Sequence, residues 1–260
     1  MRASARIAVR EVSFGYRANI LVFDRLSMEF DGGSVTAILG PSGVGKSTLL
    51  SLIAGTLRPS AGAVEFYREG RSGSRPPTGL VFQAPTLIPW RTVSSNILFG
   101  VEIKHRERLA SAKERARELL LKFGLNGAED RYPFELSGGM QQKVSIARAL
   151  VSGAGILLLD EPFSNSDFIS RRILQEEISH VVDAEGTTAI LVTHDINDAL
   201  RLADRVMLVA GRPVELLDTF EIEIPRGERL GDAAAIALKP YFDRVWSCLS
   251  GSQGEVFANA

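Results

Sequence analysis

Apolar and polar positions alternate along residues 6–12 (RIAVREV) and 63–67 (AVEFY), the period-2 pattern of a strand with one buried face. Residues 34–39 (SVTAIL) form a near-continuous apolar run that enters a glycine-rich turn, which predicts a buried strand. The run KSTLLSLIAG then predicts a helix closed by Gly55. Residues 68–77 (REGRSGSRPP) are a polar loop, and TGLVFQ at 78–83 is the next strand. From about residue 92 to 150 the period becomes helical, clearest in ERLASAKERARELLLKFG. Strand and helix alternation resumes with GILLLDEP at 155–162, a helix near 168–183, the strand TTAILVTH, a helix near 196–203 and the strand RVMLVA. The pattern predicts an α/β domain over residues 1–219, interrupted by a helical block of roughly 60 residues. A C-terminal extension of open role follows over 220–260, where LGDAAAIALKPYFDRVWSCL reads as helical, with Pro240 breaking or kinking it.

Composition narrows the classes. The chain has 260 residues, 45% hydrophobic and 23% charged, as in ordinary globular proteins. A formal net charge of −1 gives no electrostatic reason for nucleic acid to be a partner. One cysteine, Cys248, excludes an intramolecular disulfide and suits a reducing compartment. No apolar run is long enough for a membrane span, and MRASARIAVREVSF has no signal-like apolar core. The expectation is a cytoplasmic protein that reaches a membrane, if at all, by docking on another protein.

The chemistry concentrates at three strand ends. GPSGVGKS at 40–47 has the spacing of a phosphate-binding loop. Gly40, Gly43 and Gly45 let backbone N–H groups turn toward phosphates, Lys46 supplies a point charge, and Ser47 offers a hydroxyl to Mg²⁺. With Pro41, Ser42 and Thr48 these residues are the expected nucleotide-binding set. ILLLDEP places Asp160 to hold Mg²⁺ through water and Glu161 to polarise an attacking water. His194, ending AILVTH, can bond a terminal phosphate and orient the water. The amide of Gln83 can ligate Mg²⁺ and sense the γ-phosphate. Taken singly, His194 and Gln83 would be ordinary surface or core residues. A second anion-suited end is LSGGMQQK, where Ser137, Gly138 and Gly139 open a helix-like run.

Tyr16, GPSGVGKS, Gln83, LSGGM, ILLLDEP and His194, in this order, resemble the ATP-binding subunit of an ABC transporter over roughly residues 7 to 215. The resemblance implies an ABC-type P-loop ATPase core with an antiparallel β portion and an inserted helical subdomain. It implies ATP and Mg²⁺ as cofactors and a Tyr16 ring stacked on adenine, against the alternative of a packed strand aromatic. Ser137, Gly138 and Gly139 would be the signature that caps the ATP of a second, head-to-tail copy. Glu161, His194 and Gln83 would act on the attacking water and terminal phosphate, with Ser47, Gln83 and Asp160 at the metal. Other implied partners are a membrane permease and, through it, an extracytoplasmic substrate-binding protein, which places the chain peripherally on the cytoplasmic face of the membrane. Leu87, Pro89, Trp90 and Val93, with Met140, resemble importers of the nitrate, sulfonate and taurine type. Leu87, Ile88 and Trp90 suit either a groove for a permease helix or local core.

Two features depart from the family pattern. SNSD at 164–167 puts Asn165 and Ser166 where small and apolar residues usually line the dimer seam, and Lys143 replaces the usual arginine of the signature helix. Two other classes of function remain at this point. One is a soluble ABC ATPase that does not transport, against which stand the single ATPase unit, the lack of long heptads and the lone cysteine. The other is an ATP-binding regulatory subunit with little turnover, supported by SNSD alone.

Overall fold

The computed structural model describes residues 4–17, 20–69, 71–164, 166–229 and 234–256. The chain opens with β1 (Arg6–Phe14) and β2 (Phe23–Phe30), then β3 (Val35–Leu39), α1 (Lys46–Ala54), β4 (Ala61–Arg68), β5 (Arg71–Gly73) and β6 (Thr78–Val81). The helical block is α2 (Val93–Lys104), α3 (Leu109–Lys122) and α4 (Gly138–Val151). The rest is β7 (Ile156–Asp160), α5 (Phe168–Glu185), β8 (Thr188–Thr193), α6 (Ile196–Leu202), β9 (Arg205–Ala210), β10 (Glu215–Glu221), α7 (Arg226–Arg229) and α8 (Ala234–Val256).

Two sheets form. One is antiparallel, ordered β2-β1-β4-β5; the other is ordered β10-β9-β3-β8-β7-β6 and is parallel except for β10. Every residue of β3, β7 and β8 is buried, because helices or the other sheet cover both faces. One core lies between the sheets, where Leu49, Leu50 and Ile53 of α1 meet Ile7, Val9 and Phe23 on one side and Ile38, Leu158 and Ile190 on the other. The second core joins the far face of the larger sheet to α2 through α6 and α8. Gly55 and Gly186 close α1 and α5 in the left-handed conformation, φ 71° and 65°.

Strands β2, β5 and β10 were not visible in the apolar pattern. β2 and β10 are edge strands with mixed burial, and β5 lies in the segment read as a polar loop. β10 also crosses residue 219, so the expected domain limit falls within a strand. Beyond it, Arg229 is 2% exposed and donates to the carbonyls of Ile222, Ile224 and Ala203, tying the extension to the end of α6. Pro240 does not end α8, which runs unbroken through it. Proline removes one ladder hydrogen bond there, but Leu238 and Val245 are buried on either side and Tyr241 stacks on Phe220.

Candidate functional site: a phosphate loop beside an acidic strand end

The turn from β3 into α1 has no room for a side chain at Gly40 or Gly45. A Cβ on Gly40 would stand 2.1 Å from the Val209 carbonyl oxygen, and one on Gly45 (φ 125°) 2.6 Å from Val22. Glycine is therefore required for both space and backbone angle. Lys46 is buried and donates to the carbonyls of Gly40 (2.7 Å) and Pro41 (2.8 Å). Burial lowers the pKa of its amine, while Glu161 and Asp160 pull it back up. Thr48 bonds the Tyr16 hydroxyl at 3.0 Å. The Tyr16 ring is 67% exposed and stands edge-on to Phe14, so it offers area to a planar ligand.

Parallel pairing brings the acids to this loop. β8 lies between β3 and β7, so all three strands end on one side of the sheet. The Ser47 hydroxyl donates to Asp160 Oδ1 at 2.9 Å. Burial raises the pKa of the Asp160 carboxyl, the Ser47 hydrogen bond opposes this, and nearby Glu161 adds to it. Asp160 pairs with Val192 across β7 and β8, which sets Glu161 beside the end of β8. There Glu161 Oε1 meets His194 Nδ1 at 2.7 Å. Glu161 has φ 45°, a left-handed conformation that costs a non-glycine residue about 1–2 kcal/mol. Lys46, Ser47, Asp160, Glu161 and His194 thus form one site. Gln83 lies two residues beyond Val81, which pairs with Leu159; it is exposed and makes no hydrogen bond among the described residues.

The donor set suits the expected metal. The Ser47 hydroxyl and the Asp160 carboxylate are hard oxygens at hydrogen-bond separation, with the Gln83 amide at the neighbouring strand end. Mg²⁺ takes few protein ligands and keeps water and phosphate oxygens. No group of three His, Cys, Asp or Glu side chains that could cage a metal is present among the described residues.

The second anion-suited end is built differently. Ser137 caps α4 by accepting the Met140 N–H at 3.3 Å, and Ser137 and Gly138 are exposed. A cavity of about 180 Å³ joins Ser137 and Gly139 to Lys143, Ser166 and Asp167, with nothing from the 40–48 loop. Lys143 donates to the Phe123 carbonyl at 3.1 Å. Asp167 caps α5; its hydrogen bonds with Ser170, and then Lys143, hold its pKa below the usual carboxylate value. The Ser166 hydroxyl is buried without a hydrogen-bond partner, and Asn165 lies outside the described residues.

The segment after Gln83 divides. Leu87 packs against the core, and the Ile88 N–H and carbonyl are both held by the fully buried Asn96. Trp90 is 78% exposed. No local motif marks Asn96, or Arg212, whose guanidinium reaches the Gly43 carbonyl at 3.0 Å from the turn after β9.

Comparison with known proteins matches this geometry. The family model described as "ABC transporter" matches residues 23–164. The aliphatic sulfonates import ATP-binding protein of Rhodococcus jostii is 39% identical over 242 residues, 92% of this chain and 93% of that one. The taurine import ATP-binding protein of Rhizobium johnstonii is 38% identical over 233 residues, 87% of each. The nitrate import ATP-binding protein of Synechococcus elongatus is 41% identical over 205 residues, 77% of this chain but 31% of that larger one. A solved dimeric ATP-binding cassette, in a post-hydrolysis state with ADP and Pi, superposes with a TM-score of 0.73 at 28% identity, covering 84% of this chain and all of the other. The chain belongs to the ABC transporter family, as an ATP-binding subunit similar to those of nitrate, sulfonate and taurine importers.

Proposed function

We propose that this chain hydrolyses ATP between two head-to-tail copies and so powers import of a small anion, or a vitamin precursor, through a separate membrane permease. The observation that carries the reading is the meeting of the Ser47–Asp160 and Glu161–His194 pairs, 2.9 and 2.7 Å, beside Lys46 at the ends of adjacent strands. The 40–48 backbone and the N-terminus of α1 receive the phosphates, and Tyr16 stacks on the base. Lys46 exchanges its two loop carbonyls for phosphate oxygens. Ser47, Asp160 and Gln83 hold Mg²⁺, which when bound neutralises charge across the terminal phosphates. Glu161 accepts a hydrogen bond from the attacking water, and His194 fixes the Glu161 carboxylate and faces the γ-phosphate. Ser137, Gly138 and Gly139 of the second copy close the site with N–H groups and a hydroxyl.

The names of the relatives support nitrate, a sulfonate or taurine as the class of cargo. In this reading an extracytoplasmic binding protein delivers it. Exposed Trp90, in the segment between Gln83 and α2, is the side chain offered to the permease. No helix among the described residues is long and apolar enough to cross a membrane. The import names of the relatives support peripheral attachment on the cytoplasmic side. Tagging the chain in its own cells, solubilising the membranes gently and identifying what co-purifies tests the transport reading. A multi-span membrane protein is expected. Recovery with ribosomes or DNA, or with no membrane partner, would leave the nucleotide chemistry and remove transport.

A further inference from the structure

One arginine spans the two strand ends that carry Glu161 and His194. Arg171, on α5, donates through Nη1 to Asp195 Oδ2 at 2.9 Å and lies 3.5 Å from Asp198 Oδ1. Its Nη2 lies 3.4 Å from the Phe163 carbonyl, and its Nε is buried without a hydrogen-bond partner. Phe163 is two residues beyond Glu161, and Asp195 follows His194 directly. The other oxygen of Asp195 caps α6 through the N–H groups of Asn197 and Asp198. Asp198 is 3% exposed and accepts from Gln175 Nε2 at 2.9 Å.

The His194 side chain is 56% exposed, and Glu161 sits in a strained backbone conformation. We propose that Arg171, backed by Asp198, is a positioning residue for ATP hydrolysis that holds Glu161 and His194 in register through Phe163 and Asp195. The inference rests on the reading of Glu161 and His194 as the hydrolytic pair. Arg171 acts at one remove, since its partners are Phe163, Asp195 and Asp198. A planar guanidinium serves three acceptors at once; lysine keeps the charge but not the fork.

Asp198 gives the network a titratable member. Asp198 faces Asp195 and His194 from the loop before α6, Arg201 from α6 itself, and Arg171 from α5. Removing Arg171 takes away a cation that favours the charged form of Asp198, so its ionisation moves to higher pH.

The test compares the full-length wild type with R171M, R171K, E161Q and H194A. It follows phosphate release against ATP concentration and pH, together with ATP-dependent dimerisation. R171M is expected to lower kcat about tenfold or more, while KM and dimerisation change less than about threefold. Its neutral-pH limb is expected to shift upward, and R171K to recover part of the rate. If R171M does not fold, R171K and D198N carry the test, the former by reduced kcat at unchanged KM, the latter by loss of that limb. A kcat for R171M within about twofold of wild type overturns the inference, as does an equal loss of ATP binding with an unshifted pH profile. Wild-type turnover in E161Q and H194A would overturn the hydrolytic reading itself. Their inactivity beside a fully active R171M would remove the role of Arg171 alone.

Discussion

The two phosphate-facing ends of this chain differ in how complete they are. Around residues 40–48, hydrogen bonds of 2.7–2.9 Å already hold Lys46 to its own loop carbonyls, Ser47 to Asp160 and Glu161 to His194. At residues 137–139, Ser137 and Gly138 are exposed, and a Cβ on Gly138 would meet nothing within 4 Å. Ser137 uses a lone pair on the Met140 N–H, which leaves its hydroxyl hydrogen to donate. One end is organised by parallel strands of a single sheet. The other is the bare N-terminus of a helix in the inserted block. The contrast fits the proposed division of the reaction, with binding and water activation within one copy and closure supplied by another.

The strongest way to break this division is at the finished end. Glu161→Gln is expected to lower phosphate release about a thousandfold while the ATP-bound dimer accumulates, as seen by size-exclusion chromatography. Loss of the dimer together with turnover would contradict a role confined to the water. At the open end, Gly138→Asp has room in the isolated chain, so folding and ATP binding should persist. The new carboxylate would face the partner's γ-phosphate, and turnover should fall about a hundredfold with loss of ATP-dependent dimerisation. Unchanged turnover would show that this end does not close a site. A smaller effect is expected at the base. Tyr16→Ala should raise KM for ATP about tenfold, whereas Tyr16→Phe, which keeps the ring and loses the Thr48 bond, should change it less than about threefold. Equal effects would assign the work to the hydroxyl.

The mildest expected effect concerns stability. The Asp198 carboxyl is pushed up to about 7 by burial and then by Asp195, against Arg171, His194 and Arg201. The folded state holds this proton more tightly than the unfolded chain, where the group titrates near about 4. Its contribution to stability is therefore full below about pH 4 and is lost as pH rises through about 7. Asp198→Asn should flatten the dependence of the urea midpoint on pH across that window. A variant that loses stability between about pH 4 and 7 as steeply as wild type would place the titration elsewhere.

Legibility followed locality. The strands at 34–39 and 155–160 and the helix ending at Gly55 could be read because unbroken apolar runs and a closing glycine are local signals. β2 and β10 could not, since an edge strand needs few buried positions, and their mixed patterns resemble loops. Pro240 does not end α8, because the packing of Leu238, Tyr241 and Val245 outweighs one lost hydrogen bond. Arg171 and Arg229 carry no sequence signal, because their acceptors are carbonyls and carboxylates brought in by other elements.

The sequence by itself determined the chemistry of Gly40–Thr48, Asp160 and Glu161, because a phosphate loop depends on glycine, lysine and hydroxyl spacing within a few residues. It also carried the expectation of a second anion-suited end at Ser137–Gly139. Which groups meet was decided only in three dimensions. Ser47 reaches Asp160, and Glu161 reaches His194, because β3, β8 and β7 pair in one parallel register. That register is held by burial on both faces of the sheet, which no short stretch of the chain encodes alone.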